Sequence, residues 1–436
     1  MNVLDKSKNL LSRLNGDTED AEIFKNTIWL FSERIIRLIV GFSIGVWVTR
    51  YLGPDRYGIL SFATSFAVLF ASIASLGVDN IFVRDLVRKR FPSNELLGTA
   101  LGIKLFGASL SFTIVLITIF FTEIETEIRL FILLIAGSSF FNSANLIDFF
   151  FQSRVKSKFI VVANTATLLL SSAIKIYLIT QGYDLVYFVF VLLVESILKA
   201  IFYAFAFKKF SDISGKWIFN PKIAKLQLLE CWPLVMSGLA ISVGLRIDQV
   251  MLKSFVSDSE LGFYAVGVRL AELFAFVPLI VSQSLFPKII KTNFDTERSK
   301  LKKMIAGLYY PLILGCLFTY FVAEILVDIL YGAAFEKSAV ILIVLIWTIP
   351  LSFLGAFTNR MLMTKGWQKI VFFKQFLLMS INIVLNIVLI PRYGIIGAAF
   401  ATLTADLFVN LFADLLFRKS RWIFLLKIES FFLKFG

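Results

Sequence analysis

Residues 97–121 read LGTALGIKLFGASLSFTIVLITIFF, an almost unbroken apolar stretch in which Lys104 is the single charged residue. An α-helix needs about 20 such residues to cross the hydrocarbon core of a bilayer, so this stretch predicts a transmembrane helix. The whole chain has the same character. Of its 436 residues, 58% are hydrophobic and only 17% are charged, against about 25% charged in soluble domains. This composition excludes a soluble enzyme, a secreted scaffold and a disordered protein.

Similar apolar segments recur along the chain, and turn-forming residues such as Gly53-Pro54-Asp55 separate them. We therefore predict an all-α polytopic membrane protein with about 12 transmembrane helices. The predicted spans are 27–48, 57–78, 97–121, 128–150, 160–180, 185–206, 232–253, 262–286, 304–327, 338–358, 370–390 and 395–416.

Lysine and arginine are concentrated in alternate connections between these spans. With the N-terminus placed in the cytoplasm, the cytoplasmic segments hold 31 of them and the outer loops hold 6. Cytoplasmic loops of membrane proteins are enriched in these residues, which favours this orientation. We expect an even number of spans, with both termini in the cytoplasm.

Weak internal matches indicate a duplicated chain. Gly58 matches Gly262 at an offset of 204 residues, and Glu195 matches Asp406 at an offset of 211. We expect two six-helix lobes related by a pseudo-two-fold axis along the membrane normal, with a substrate route between them. The expected divisions are a cytoplasmic segment 1–26, an N-terminal lobe 27–206, a cytoplasmic linker 207–230, a C-terminal lobe 231–416 and a basic amphipathic tail 417–436.

The tail is too short and too charged to span the membrane. Arg418, Lys419 and Arg421 precede Trp422, and Lys427 lies in the apolar run that follows. We expect the tail to lie along the inner leaflet, with its cations near anionic lipid headgroups.

Many charged residues lie inside the predicted spans, although an unpaired charge in hydrocarbon costs at least ~2.5–3.5 kcal/mol. Their number indicates a water-filled cavity. Glu195 and Lys199 are four residues apart on one helix and are expected to pair, whereas Lys175 is expected to extend to the surface. The set comprises Glu33, Arg34, Arg37, Lys104, Asp148, Lys175, Glu195, Lys199, Arg246, Asp248, Arg269, Glu272, Asp406 and Asp414.

The cations in this set are spread across the depth of the membrane. Arg37 lies about 15 Å from the inner boundary, near the midplane, and Arg34 lies one turn before it. Lys104 lies lower, and Arg246 and Arg269 lie higher. Facing one cavity, they would form a ladder for an anionic substrate, since a guanidinium donates two parallel hydrogen bonds to phosphate. These five residues are the predicted pyrophosphate path.

The same arginines have a second interpretation. Glu33 and Arg37 are four residues apart, and Arg269 and Glu272 are three apart, so each arginine could pair with its own acid. The sequence leaves both interpretations open. Coupling to H⁺ or Na⁺ would need a titratable acid in the cavity, and the candidates are Glu33, Asp248 and Glu272.

Several chemistries are excluded by missing residues. The chain has no His, and Cys231 and Cys316 both lie in apolar segments. These facts argue against His-based catalysis, a metal site and a disulfide framework, so we expect no enzyme activity and no cofactor. No Gly-rich loop followed by Lys-Ser/Thr is present, so ATP is not the expected energy source. The net charge of +14 fits cytoplasmic loops, and nucleic acid is not an expected partner.

Three motifs resemble those of polysaccharide repeat-unit flippases (Wzx type). They are WVTRYLGPDRYGIL at 47–60, ASLGVD at 74–79 followed by VRDLVR at 83–88, and DFFFQS at 148–153. The resemblance places the chain in the multidrug/oligosaccharidyl-lipid/polysaccharide exporter superfamily. Ser153 stands where that family usually has Gly.

The resemblance implies two lobes forming a V around a central cavity. It also implies transport of undecaprenyl-pyrophosphate-linked oligosaccharide, an O-antigen type unit, from the cytoplasmic to the periplasmic leaflet of a bacterial inner membrane. The expected partners are this substrate, anionic lipids and membrane proteins of glycan assembly such as a polymerase. A monomer is expected. The sequence does not identify the sugars.

Three other functions compete with this one. An ion-coupled multidrug exporter of the same superfamily would need carboxylates for cationic drugs, whereas the predicted cavity is net positive. A membrane glycan polymerase or ligase would need positioned acids or bases on long outer loops, which are short here. A structural scaffold for glycan assembly is the third.

Overall fold

The protein is described by a computed structural model that covers residues 19–213, 215–291 and 297–432. Side chains are described in these ranges except at 19–21, 23 and 276–291. Most of the expected segment 1–26 and the last residues of the tail therefore lie outside the described residues. Within these ranges every regular element is helical.

Fifteen α-helices follow in chain order. They are α1 (Glu19–Leu69), α2 (Ala71–Ser75), α3 (Val78–Val87), α4 (Ser93–Phe120), α5 (Thr126–Asn142), α6 (Leu146–Ser153), α7 (Lys158–Thr180), α8 (Leu185–Phe210), α9 (Pro221–Leu252), α10 (Asp258–Lys291), α11 (Arg298–Tyr331), α12 (Ser338–Leu345), α13 (Thr348–Thr364), α14 (Gln368–Leu407) and α15 (Arg421–Phe431). A π-helical turn, Phe408–Phe412, follows α14.

Nine helical stretches of the described chain are long and apolar enough to cross a bilayer. Two of them are too long for one crossing, because Phe24–Leu69 has 46 residues and Gln368–Leu415 has 48. At 1.5 Å per residue each would extend about 70 Å, more than twice the hydrocarbon core. Each therefore contributes two spans, and α10 adds 34 helical residues. The predicted all-α fold with about 12 spans is confirmed.

The breaks inside the two long helices fall at glycines. Gly53 has φ 69° and ψ 176°, and Gly394 has φ 55° and ψ −132°. Both were expected to lie in loops, but each is a single sharp turn between helices. Only glycine adopts such positive φ angles without strain. Pro54 then occupies the start of the new helix, where its missing N–H costs little.

Helix α9 begins inside the predicted linker, about ten residues before the predicted seventh span. Its start is specified locally, because the Asn220 side chain accepts a hydrogen bond from the backbone N of Lys222 at 3.0 Å. Pro221 is the first helical residue. Asn at the cap and Pro after it are preferred helix-starting residues. The charges of Lys222 and Lys225 concealed this extension from the hydropathy pattern.

By packing, the described chain divides into two compact units. The first comprises residues up to Tyr51 together with Phe70–Leu239, and the second comprises Leu52–Leu69 together with the residues from Ala240 onward. The core of the first contains Phe82, Phe150 and Tyr203, all fully buried. The core of the second contains Phe353 and Phe357. The lobe boundaries 27–206 and 231–416 stay a prediction.

Two glycines bring α1 and α10 into backbone contact in the second unit. A Cβ on Gly58 would clash with the carbonyl of Asp258, and a Cβ on Gly262 would clash with the carbonyl of Pro54. Both pairs of equivalent positions, 54 with 258 and 58 with 262, are 204 residues apart. The contact is therefore reciprocal, as self-complementary contacts about a two-fold axis are.

The tail helix α15 docks on the second unit. Lys427 Nζ lies 2.6 Å from one Asp414 oxygen and Lys374 Nζ lies 3.1 Å from the other, and all three side chains are at most 1% exposed. Arg298 adds an ion pair to Glu429 at 2.7 Å. The expectation that Lys427 lies near lipid headgroups is wrong, because this ammonium partners a buried carboxylate.

Candidate functional site: two polar cavities of opposite charge

A polar cavity of about 210 Å³ lies in the first unit between α1, α5, α7 and α8. Its charged lining residues are Arg37, Glu195 and Lys199. Carboxamide and hydroxyl groups make up most of the rest, and these come from Ser138, Asn142, Asn164, Thr167 and Ser196. Polar groups at this density inside apolar helices are typical of a water-filled cavity. We call it the cationic cavity.

Arg37 extends from α1 and pairs with Glu33, with 2.5 Å between Nη2 and Oε1. The same Glu33 oxygen accepts from Asn164 Nδ2 at 3.2 Å. The buried Tyr203 hydroxyl in turn donates to Asn164 Oδ1 at 2.7 Å. The Arg37 side chain is 50% exposed and keeps N–H donors beyond the one that Glu33 accepts. The local pair is present, yet Arg37 also lines the cavity.

Lys199 is the second cation of this cavity, which the sequence analysis did not foresee. The expected pair with Glu195 was wrong: Glu195 Oε2 accepts from Lys175 Nζ at 3.0 Å. Helices α7 and α8 pack side by side, so Lys175 reaches across to Glu195 instead of extending to the surface. Lys199 Nζ lies 5.4 Å from the centre of the Tyr203 ring. The polar residues inside the apolar spans, Asn142 and Asn164, were the missed signal for this site.

Two other predicted path residues lie outside the cationic cavity. Lys104 is 4% exposed, and its Nζ pairs with Asp79 Oδ1 at 2.5 Å. Its ammonium also lies 5.5 Å from the centre of the Phe149 ring. Arg34 is exposed on α1. The structure therefore does not bring either side chain to the cavity that Arg37 lines.

A smaller cavity of about 150 Å³ lies in the second unit between α9, α10, α12, α13 and α14. Three carboxylates line it, those of Asp248, Glu272 and Asp406, together with Tyr264 and Thr402. Its described lining contains neither Lys nor Arg. We call it the acidic cavity.

The two deepest acids of the acidic cavity are held by hydrogen bonds. Asp248 accepts from the Tyr264 hydroxyl and from the backbone N of Gln249 at 2.8 Å. Asp406 accepts from Asn410 Nδ2 at 2.9 Å, in the π-helical turn, a feature found often at functional sites. A carboxylate has about four acceptor positions, so both retain capacity for a cation or a proton.

The remaining predicted residues form one interhelical ion pair and one hydrogen bond. Arg246 Nη2 lies 3.1 Å from Glu272 Oε1, and Arg269 Nη1 donates to the Tyr57 hydroxyl at 3.3 Å. The alternative pair of Arg269 with Glu272 is replaced, because Glu272 reaches from α10 to α9. Neither arginine lines the acidic cavity.

Helices that cross a membrane about twelve times, with charged cavities inside each unit, define a multi-pass membrane transport protein. The family model described as polysaccharide biosynthesis protein matches residues 23–293. The chain belongs to this family, and its resemblance to the polysaccharide flippases of the exporter superfamily is confirmed.

Two relatives illustrate the sequence similarity. The capsular polysaccharide biosynthesis protein CapF of Staphylococcus aureus is 20% identical over 91% of this chain and 99% of its own length. The probable flippase AglR of Haloferax volcanii is 30% identical over 36% of this chain and 34% of its own length.

Two solved structures share the fold. The lipid II flippase MurJ, in an inward closed conformation, has a TM-score of 0.74 at 16% identity, covering 94% of this chain and 91% of its own. An inward-facing multidrug resistance MATE family transporter of the MOP superfamily has a TM-score of 0.64 at 13% identity, covering 90% and 96%.

Proposed function

We propose that this protein flips undecaprenyl-pyrophosphate-linked oligosaccharide units from the cytoplasmic to the periplasmic leaflet of a bacterial cytoplasmic membrane. The observation that carries the proposal is the cationic cavity, where Arg37 presents guanidinium donors inside a membrane-spanning unit of a family named for polysaccharide biosynthesis. Planar guanidinium donors suit the oxygens of a pyrophosphate. The protein works by alternating access and is not an enzyme.

Arg37 is the best supported residue of the path. Lys104 and Arg246 each have an acid as partner, so they would contribute only after that partner is exchanged for substrate. Arg34 and Arg269 complete the proposed ladder. The sugars would occupy water and the polyprenyl tail would stay in lipid.

The acidic cavity is the proposed coupling site for H⁺ or Na⁺. Its volume of about 150 Å³ suits an ion better than a drug, since drug-sized ligands occupy about 300–1,000 Å³. Of the predicted coupling acids, Asp248 and Glu272 line it, whereas Glu33 belongs to the cationic cavity. Asp406 joins them as a further candidate. The same size argument disfavours export of cationic drugs from this cavity.

The proposed arrangement in the cell follows the charge distribution of the loops. Both termini lie in the cytoplasm, and the protein acts as a monomer beside the polymerase and other membrane proteins of glycan assembly. Fusing reporters active on one side of the membrane to either end would contradict this topology if either end were periplasmic.

The central experiment is charge replacement in the parent organism, with surface polysaccharide as the readout and membrane level checked by blot. Arg37→Ala should insert normally and lose polysaccharide, and Arg37→Lys should restore part of it, because the charge returns without the planar fork. Arg246→Ala and Arg269→Ala are compared alongside. Normal export by Arg37→Ala would remove the proposed substrate contact.

A further inference from the structure

We propose that Lys199 and Arg37 together bind one anionic group of the transported molecule in the cationic cavity. The inference rests on the proposed function, because it assigns a second substrate contact to the same site. The ligand chemistry is an oxyanion carried on a hydroxylated body. Two sources fit, the pyrophosphate of the lipid carrier and the carboxylate of an acidic sugar.

The first argument is the position of the two cations. Lys199 is the fifteenth residue of the 26-residue helix α8, about 21 Å from its first residue at 1.5 Å per residue. It therefore lies near the middle of the span, as Arg37 does. Two like charges at this depth repel each other and are expensive in hydrocarbon, which marks an intramembrane functional site.

The second argument is the distribution of the nearby acids. The Glu195 carboxylate lines the cavity but is held by Lys175, and the Glu33 carboxylate is held by Arg37 and Asn164. In the described part of the chain no carboxylate oxygen lies within 4 Å of Lys199 Nζ. Its nearest recorded partner is an aromatic ring, so this ammonium keeps its donors for a ligand.

The third argument is the neutral lining. Asn142 and Asn164 offer carboxamides, and Ser138 and Ser196 offer hydroxyls. These groups donate to anionic oxygens and exchange hydrogen bonds with sugar hydroxyls. At about 30 Å³ for each water of the liquid, the cavity of about 210 Å³ has room for one phosphate or one sugar ring and not for a whole oligosaccharide.

Export assays with charge variants test the role of Lys199. Lys199→Gln should lower polysaccharide export about tenfold or more, the scale of one charge-assisted hydrogen bond, and Lys199→Arg should retain most of it. Lys209→Gln is the matched control, since it removes the same charge from the same helix at an exposed position outside the cavity. Wild-type export by Lys199→Gln would overturn the inference.

Thiol chemistry separates a charge role from a packing role, because the native Cys231 and Cys316 are both buried. Lys199→Cys should lose export and regain it after a cationic thiosulfonate reagent, but not after a neutral reagent of similar size. Equal rescue by both reagents would show that bulk, not charge, is required.

The same variant identifies the source of the anion in purified protein in nanodiscs. Inorganic pyrophosphate should slow modification of Lys199→Cys if the carrier phosphate binds here. Slowing by glucuronate alone would assign the anion to an acidic sugar. Slowing by neither anion overturns the inference. If deletion of the gene left glycan export intact while an anion still protected the thiol, the proposed function would fail and the anion site would stand.

Discussion

At the scale of single residues, the triad of Lys374, Asp414 and Lys427 holds one surplus positive charge in a site that excludes water. A buried ion pair is neutral, and the second ammonium is the extra charge. Burial, reinforced by the neighbouring Lys374, lowers the pKa of Lys427 to about 8. The charge balance of this triad therefore controls how firmly α15 is held.

Substitutions in the triad should differ in cost according to the charge they leave behind. Asp414→Asn leaves two buried ammonium groups without a counter-charge and should destabilise the protein by about 3–5 kcal/mol. Lys427→Met leaves the neutral pair of Lys374 and Asp414 and should cost on the order of 1 kcal/mol. Thermal unfolding of the detergent-purified variants measures both. Equal losses would show that the charges are not what matters.

The lowered pKa of Lys427 also predicts a pH dependence. The folded state releases this proton near pH 8, and the unfolded chain releases it near 10.5. Between these values the unfolded state binds more protons, so stability should increase as the pH rises from about 8 to 10. Thermal midpoints across this range provide the measurement. The contribution should be absent in Lys427→Met, and an unchanged slope in that variant would assign the effect to other groups.

At the scale of helices, the segment 47–60 that resembles the flippase motif serves structure rather than substrate. Gly53 breaks α1, Pro54 restarts it, and Gly58 permits backbone contact with α10. Other motif residues also make internal ion pairs: Asp79 holds Lys104, and Arg84 pairs with both Asp85 and Glu230. A motif of this kind identifies the fold more directly than the ligand.

The contact between α1 and α10 predicts a matched set of glycine substitutions. Gly58→Ala and Gly262→Ala each place a methyl group against a backbone carbonyl that has no flexible atoms to yield. Each should cost about 1–3 kcal/mol. Gly315→Ala is the control, because nothing lies within 4 Å of its added Cβ and alanine favours a helix. Similar stability for all three variants would argue against close helix contact.

At the scale of the whole molecule, the two units contain cavities of opposite charge. The cationic cavity is lined by Arg37 and Lys199, and the acidic cavity by Asp248, Glu272 and Asp406. Glu195 and Asp406, which match at an offset of 211 residues, each line the cavity of their own unit. This division of charge fits an anionic substrate in one unit and a coupling cation in the other.

The division predicts that coupling and substrate binding can be separated. Asp406→Asn removes a cation site in the second unit and leaves the first unit unchanged. It should slow transport in vesicles and abolish its dependence on the pH or sodium gradient, while pyrophosphate still protects Lys199→Cys in the double variant. Unchanged gradient dependence would exclude Asp406 as a coupling residue.

The sequence by itself determined the membrane class, the helical fold and the approximate number of spans. These depend on hydropathy and length, which are local properties of the chain. It also indicated the duplication, and it placed Arg37 at mid-membrane depth, because helical rise is fixed. Partners within one helix turn were partly predictable, as Glu33 with Arg37 shows.

Partners between helices were decided only by the tertiary structure. Glu195 binds Lys175 rather than Lys199, and Glu272 binds Arg246 rather than Arg269. Helix spacing specifies which side chains share a face, but it does not specify which neighbouring helix faces them. The packing of α7 against α8 therefore gave Lys199 to the cationic cavity, and the docking of α15 turned Lys427 from the lipid toward Asp414.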